Sequence, residues 1–327
     1  MGDVTQLVCS LHGVGIGAIG SATVISALAS RLGELPQDET QPSIMFEYEM
    51  AGAGGEHAIE KPKGNGRPFY VPLFGEAIYY PDGDILYMSY GDQARVLCRA
   101  SEGRCRISLA EPECERVWLG THPLFTIPLI EMLKRKGLYS LHAAAFALEG
   151  RCVLLAGTSG AGKSTLTVCH LRAGLSFMGD DMTFFSEVNG TQALAFPERI
   201  DITDTTASFF PELKEIADSQ RRSGWPKHEI RATDFFPNNL TWSAAPAAII
   251  FPQISNLKES QLSAIGANEA FLELVPNVLL TDPVATKEHV AFISRLVQET
   301  PAYRLHAARD FNRITDIVTE ILKTTSA

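Results

Sequence analysis

Positive charge is scarce in this chain: 28 Lys and Arg stand against 38 Asp and Glu over 327 residues, giving a formal net charge of −10 and a pI near 5.3. A surface of that sign repels phosphodiester backbones and anionic headgroups, so neither nucleic acid nor a membrane surface is an expected partner. Paired cysteines are missing as well. The six cysteines, at 9, 98, 105, 114, 152 and 169, contain no C-x-x-C pair, and the spacing of 98, 105 and 114 fits no common zinc pattern. Reduced thiols in a cytoplasmic protein are the simplest expectation. Nor is there a long hydrophobic run. Residues 4–30 carry no Asp, Glu, Lys or Arg, but His12 and several Gly, Ser and Thr dilute them below a spanning helix. No Lys or Arg precedes them, so neither a signal peptide nor a membrane span is expected.

What is present is enough apolar residue, 45%, for one large or two modest domains. Residues 1–42 read as a packed or disordered N-terminal segment. They include Gly15-Ile-Gly17-Ala-Ile-Gly20, formally the dinucleotide fingerprint, but the strand before it would be short and interrupted by His12, and small-residue strings arise easily. Translation beginning at Met45 is an alternative. Residues 43–120 read as a small β-rich domain, with strands expected at 44–48, 69–71, 77–80, 85–88 and 95–98. Pro81-Asp-Gly-Asp84 is a hairpin signal, and residues 52–66 read as a mobile loop. An amphipathic helix is expected over 126–136, ending at Gly137 and leading into a domain over 121–327. From Leu138 strands and helices alternate, which favours an α/β core. Strands are expected at 142–147, 152–156, 176–178, 183–186 and 247–251, and helices at 268–274, 285–299 and 310–323.

The chemistry concentrates in that second part. Gly157-Thr158-Ser159-Gly160-Ala161-Gly162-Lys163-Ser164 matches the phosphate-loop pattern G-x-x-x-x-G-K-[ST] at every fixed position, with an apolar strand before it and an apolar-periodic helix from Lys163 and Thr165 onward. Backbone N–H groups of such a loop point at phosphate oxygens, a lysine neutralises charge, and the serine hydroxyl can ligate Mg²⁺. A nucleoside polyphosphate, ATP by default, is the expected ligand. Asp180 and Asp181 follow at the end of a strand expected beside the loop strand in a parallel sheet. One could hold Mg²⁺ while the other takes the proton of an attacking hydroxyl. His142 precedes Lys163 by 21 residues (163 − 142) and opens a neighbouring strand, from which it could reach the reacting phosphate or orient an aspartate. The basic island from Arg221 to Arg231, in which Lys227 and Arg231 stand out, would suit a lid over phosphates.

These residues resemble a known family. The order His142, then Gly157 to Ser164, then Asp180-Asp181, within HAAAFALEGRCVLLAGTSGAGKSTLTVCHLRAGLSFMGDD, is similar to the catalytic core of HPr kinase/phosphorylase and its wider relatives. The resemblance covers about residues 138–190 with specific motifs. It implies an α/β fold with a P-loop core of the HPr kinase / PEP carboxykinase-like type and a smaller β-rich N-terminal domain. It also implies Asp181 as general base toward a serine of a protein or peptide, Lys163 and Ser164 serving phosphates and Mg²⁺, and His142 assisting. A homo-oligomer is implied too. The family's later signature E-[IV]-R-G-x-G, which supplies a Mg²⁺ ligand and is linked to phosphorolysis, is not found here, so phosphorylase activity and HPr itself as acceptor are not expected. Glu198 could supply a replacement carboxylate. Divergent relatives include kinases of ribosomally made peptides such as lasso-peptide precursors. The expectation is therefore an ATP- and Mg²⁺-dependent serine kinase, with a nucleotide-gated binding protein and a small-molecule kinase as alternatives.

Overall fold

The computed structural model describes the chain except residues 1–3, 38–40, 53–54, 70, 72–74, 111–113, 217–226 and 325–327. The protein is mixed α/β with several sheets. It divides into two compact units, Met1–Gly137 with Leu280–Thr286, and Leu138–Leu279 with Lys287–Ala327. The division falls at Gly137 rather than at the expected boundary of 120, because the helices Cys114–Thr121 and Pro123–Lys134 belong to the first unit. Among the described residues no helix is long and apolar enough to cross a membrane.

The first unit is built on an eight-stranded sheet. Its opening residues form no separate segment: Val4–Leu11 and Val14–Ser21 pair antiparallel, and the second strand pairs in parallel with Ile44–Met50. The turn between them uses His12 and Gly13, both at positive φ, the twist that suits a two-residue hairpin. The dinucleotide-like glycines therefore lie within a strand that passes at Ser21 into the helix Ala22–Arg31, with no glycine loop between the two. Their role is steric. A Cβ at Gly17 would stand 2.7 Å from Pro42 Cγ, and one at Gly20 would stand 2.7 Å from Tyr48 Cβ, so only glycine lets the neighbouring side chains lie across this strand. Strand is assigned to Arg67–Pro68 rather than to residues 69–71, and residue 70 is outside the described residues. The hairpin at Pro81-Asp-Gly-Asp84 is present, closed by the Asp84 N–H donating to the Pro81 carbonyl at 3.2 Å.

The second unit is a nine-stranded sheet covered on both faces. Ala143–Leu148 and Arg151–Ala156 form a tight hairpin and bury alternate residues on opposite sides. Val153 and Leu155 pack with Leu166, Ile314, Val318 and Leu322 on one face. Cys152, Leu154 and Ala156 pack with Phe292, Ile293 and Leu296 on the other. Such two-sided burial explains why these strands read as unbroken apolar runs. The loop strand Arg151–Ala156 runs parallel to Ser243–Ile254, which runs parallel to Ala302–Ala307. One expectation is corrected here. The strand leading to the aspartates, Ser176–Gly179, does not adjoin the loop strand, because Ala143–Leu148 lies between them, antiparallel to both. The sheet is mixed, but the two functional strands still point the same way.

Gly179 closes this arrangement. A Cβ there would lie 2.5 Å from the Met182 carbonyl oxygen and 3.1 Å from that of Phe196, so the turn carrying both aspartates is packed against backbone that cannot retreat. Gly179→Ala is expected to destabilise the fold by about 1–3 kcal/mol, the usual range for overpacking. A denaturation midpoint equal to that of the parent protein would contradict this account.

Candidate active site

Strand, loop and helix follow in the order the motif requires: Arg151–Ala156, the loop 157–162, and the helix Lys163–Arg172. Gly160 (φ 85°) and Gly162 (φ 95°) adopt left-handed backbone, which side-chain-bearing residues resist, and this curls the loop over the helix start. The helix has no side-chain cap at Gly162 and no acidic residue in its first turn, leaving its positive end for an anion. Thr158, Ser159 and Gly160 form the exposed crest, whereas Lys163 is 7% exposed. Its ammonium donates to the Gly157 carbonyl at 2.7 Å and lies 3.4 Å from that of Thr158. Burial lowers the Lys163 pKa, opposed by the nearby charges of Asp181 and Asp180.

Asp180 is the most constrained ionisable group of the site, at 1% exposure. Its Oδ2 accepts a hydrogen bond of 2.7 Å from the Ser164 hydroxyl, while Oδ1 is buried with no hydrogen-bond partner. Loss of solvation, and then repulsion from Asp181, push the Asp180 carboxyl up to about 7, with the Ser164 and Thr167 hydroxyls and the Lys163 charge acting in the opposite direction. A buried carboxyl with one oxygen on a serine hydroxyl and the other unbonded is a group that could ligate a cation. The donor set, two oxygens at a phosphate-loop serine, suits Mg²⁺. Among the described residues no three His, Cys, Asp or Glu side chains gather as a metal site. Glu198 sits in the connection after Gln192–Ala195, its N–H bonded to the Phe196 carbonyl.

His142 lies one residue before its strand, and its N–H donates to the Asn277 carbonyl at 2.8 Å. Because Ala143 pairs with Ala156, His142 stands across from Gly157, where the loop begins. Burial lowers its pKa, partly offset by the charge of Asp181 and by the hydrogen bond its ring makes to the Asp181 backbone. A neutral imidazole thus fixes the turn that presents Asp181, which is itself exposed. Histidine, loop lysine, serine and both aspartates therefore meet at one sheet edge.

The basic island divides. Residues 221–226 lie outside the described residues. Lys227 and Arg231 flank His228–Ile230, a strand paired with Ile200–Ile202, so this described part is not a free lid loop. Lys227 lies 3.8 Å from Asp201, and its positive charge is felt at both Lys163 and His142. Arg231 begins the short helix Ala232–Phe235. That ribbon packs against the loop helix through Ile200, Ile202, Ile230, Val168 and Leu171. Thr165 adds a hydroxyl contact of 2.8 Å to Thr206. Glu229-Ile230-Arg231-Ala232 in this ribbon matches E-[IV]-R-G-x-G at its first three positions, with Ala232 where the pattern has glycine.

No protein-family model matches the sequence, and no curated protein matches it. Among solved structures, the HPr(Ser) kinase/phosphatase from Coxiella burnetii is similar at 15% identity, over 49% of this chain and 94% of that one, with a TM-score of 0.26.

The raised Asp180 pKa has a defined sign. Between the ordinary carboxylate value and about 7, the unfolded chain has released this proton and the folded chain keeps it, so stability falls as pH rises through that window. Asp180→Asn removes the titration. Its stability relative to the parent is expected to improve by on the order of 2 kcal/mol between pH 5 and pH 8 without Mg²⁺. The same difference between variant and parent at both pH values would show that Asp180 is not so perturbed.

Proposed function

We propose that this chain is an ATP- and Mg²⁺-dependent kinase that transfers the γ-phosphoryl group to a serine hydroxyl of a protein or peptide. The observation that carries the reading is the 2.7 Å contact between the loop serine, Ser164, and a buried aspartate whose second oxygen is unpartnered. The next residue, Asp181, is exposed to an incoming acceptor. Ser164 and Asp180 would hold Mg²⁺, which when bound neutralises charge on the phosphate oxygens. The loop N–H groups, the helix start and Lys163 bind the phosphate chain and orient its terminal group. Asp181 accepts the proton as the serine oxygen bonds to the γ-phosphorus and the bond to the β–γ bridging oxygen breaks, releasing ADP. His142 keeps the Asp181 turn in place, and Lys227 adds positive potential where negative charge builds up. The sequence resemblance, which has specific motifs over about residues 138–190 and extends over the rest of the C-terminal portion in outline, supports the choice of a serine acceptor and of a ribosomally made peptide as its class.

Transfer from γ-labelled ATP with Mg²⁺ into the polypeptides of a cell extract tests the proposal. Asp181→Asn is expected to keep ATP binding and to lose about two to four orders of magnitude in transfer, the range for a positioned base. Lys163→Ala should lose both. Normal transfer by the Asn variant would remove Asp181 as the base. Free phosphate with no labelled polypeptide would make the protein a nucleotide-gated binder, and a labelled metabolite would make it a small-molecule kinase.

A further inference from the structure

An exposed aliphatic side chain stands beside the glycine loop on the side away from the carboxylates. Ser243–Ile254 adjoins the loop strand opposite Ala143–Leu148, and its last registered pair with that strand is Leu155 with Ile250. It continues to Ile254 alongside the loop. Pro252 Cδ lies 3.9 Å from where a Cβ of Gly157 would stand, and Ile254 Cγ1 lies 3.6 Å from the same point on Gly162. Residues two apart on a strand share a face, so both look toward the loop, yet Pro252 is buried and Ile254 is 72% exposed. Leu257, three residues on, is 44% exposed. The ledge is held from behind. Ile254 pairs with Ala307, the Ser255 N–H donates to the Ala307 carbonyl at 2.9 Å, and Ser260 bonds Asp310 through both its N–H and its hydroxyl.

We propose that Ile254 is the resting surface for the base of a nucleoside triphosphate, which makes the phosphoryl donor a nucleotide rather than an inorganic polyphosphate. This inference rests on the function proposed above. Ser164 turns toward Asp180, so the reacting end of a phosphate chain on this loop lies on the side of Ala143–Leu148 and Ser176–Gly179. The other end is then directed toward Ser243–Ile254. A polyphosphate end there would meet an aliphatic side chain that offers no hydrogen bond. A base presents a flat apolar face, and its contact would cover surface that now faces water. Gly162, without a side chain, leaves the path between loop and ledge open.

Calorimetric titration of the full chain with ATP and with tripolyphosphate, each with Mg²⁺, tests this on the parent, Ile254→Ala and Ile254→Leu. Ile254→Ala is expected to weaken ATP about tenfold and tripolyphosphate by less than about twofold, with Ile254→Leu close to the parent for both. Equal losses for the two ligands, or no loss for ATP, would overturn the base-resting role while leaving the kinase reading intact. A parent protein that binds neither ligand would overturn both.

Discussion

The site depends on one tight hairpin. Glu149 and Gly150, both at positive φ, turn Ala143–Leu148 back along Arg151–Ala156, and a turn of that length leaves no freedom of register. Ala143 must therefore face Ala156, which sets His142 at the mouth of the glycine loop. The same strand carries Ser176–Gly179 on its other edge, with Gly179 paired to Ala145, so Asp180 and Asp181 emerge at the same end. A slip of one residue along Arg151–Ala156 would exchange its two buried faces, placing Cys152 and Leu154 where Val153 and Leu155 now fill the core. The core thus enforces the geometry of the site.

Packing also accounts for the electrostatics. Lys163 and Asp180 are buried side chains from adjoining elements, each carrying the desolvation cost of a charge and each partly compensated by the other. Neither is held by a close ion pair with the other: the ammonium bonds loop carbonyls and the carboxylate bonds Ser164. His142, kept neutral by burial, can bond the Asp181 backbone without adding a positive charge beside Lys163.

The glycine loop, its strand and its helix were legible because Gly157, Gly162, Lys163 and Ser164 match the four fixed positions of a local pattern flanked by apolar residues. The aspartates and His142 were legible by type and spacing, but the order of the strands was not, since two-sided burial gives Ala143–Leu148, Arg151–Ala156 and the middle of Ser243–Ile254 the same apolar texture. The strands at Val4–Leu11 and Val14–Ser21 were missed for a different reason: Gly15, Gly17 and Gly20 interrupt Val14, Ile16 and Ile19 in the second, and glycine is depleted in strands. Ile254 carried no signal at all. An isoleucine at the end of an apolar strand looks like core, and only the sheet shows that Pro252 is covered while Ile254 is not.

By itself the sequence determined the local units: a glycine loop of the phosphate-loop pattern between a strand and a helix, a Gly-Asp-Asp turn, a mixture of strands and helices from Leu138, and a net negative charge. Those properties depend on residues adjacent in the chain, where backbone freedom, charge and periodicity act directly. Tertiary structure decided the rest. It determined that Ala143–Leu148 separates the two functional strands, that Asp180 is buried and Asp181 exposed, and that Ile254 borders the loop. Each of these follows from which faces are covered by residues distant in sequence, and burial of that kind is settled only when the whole sheet has assembled.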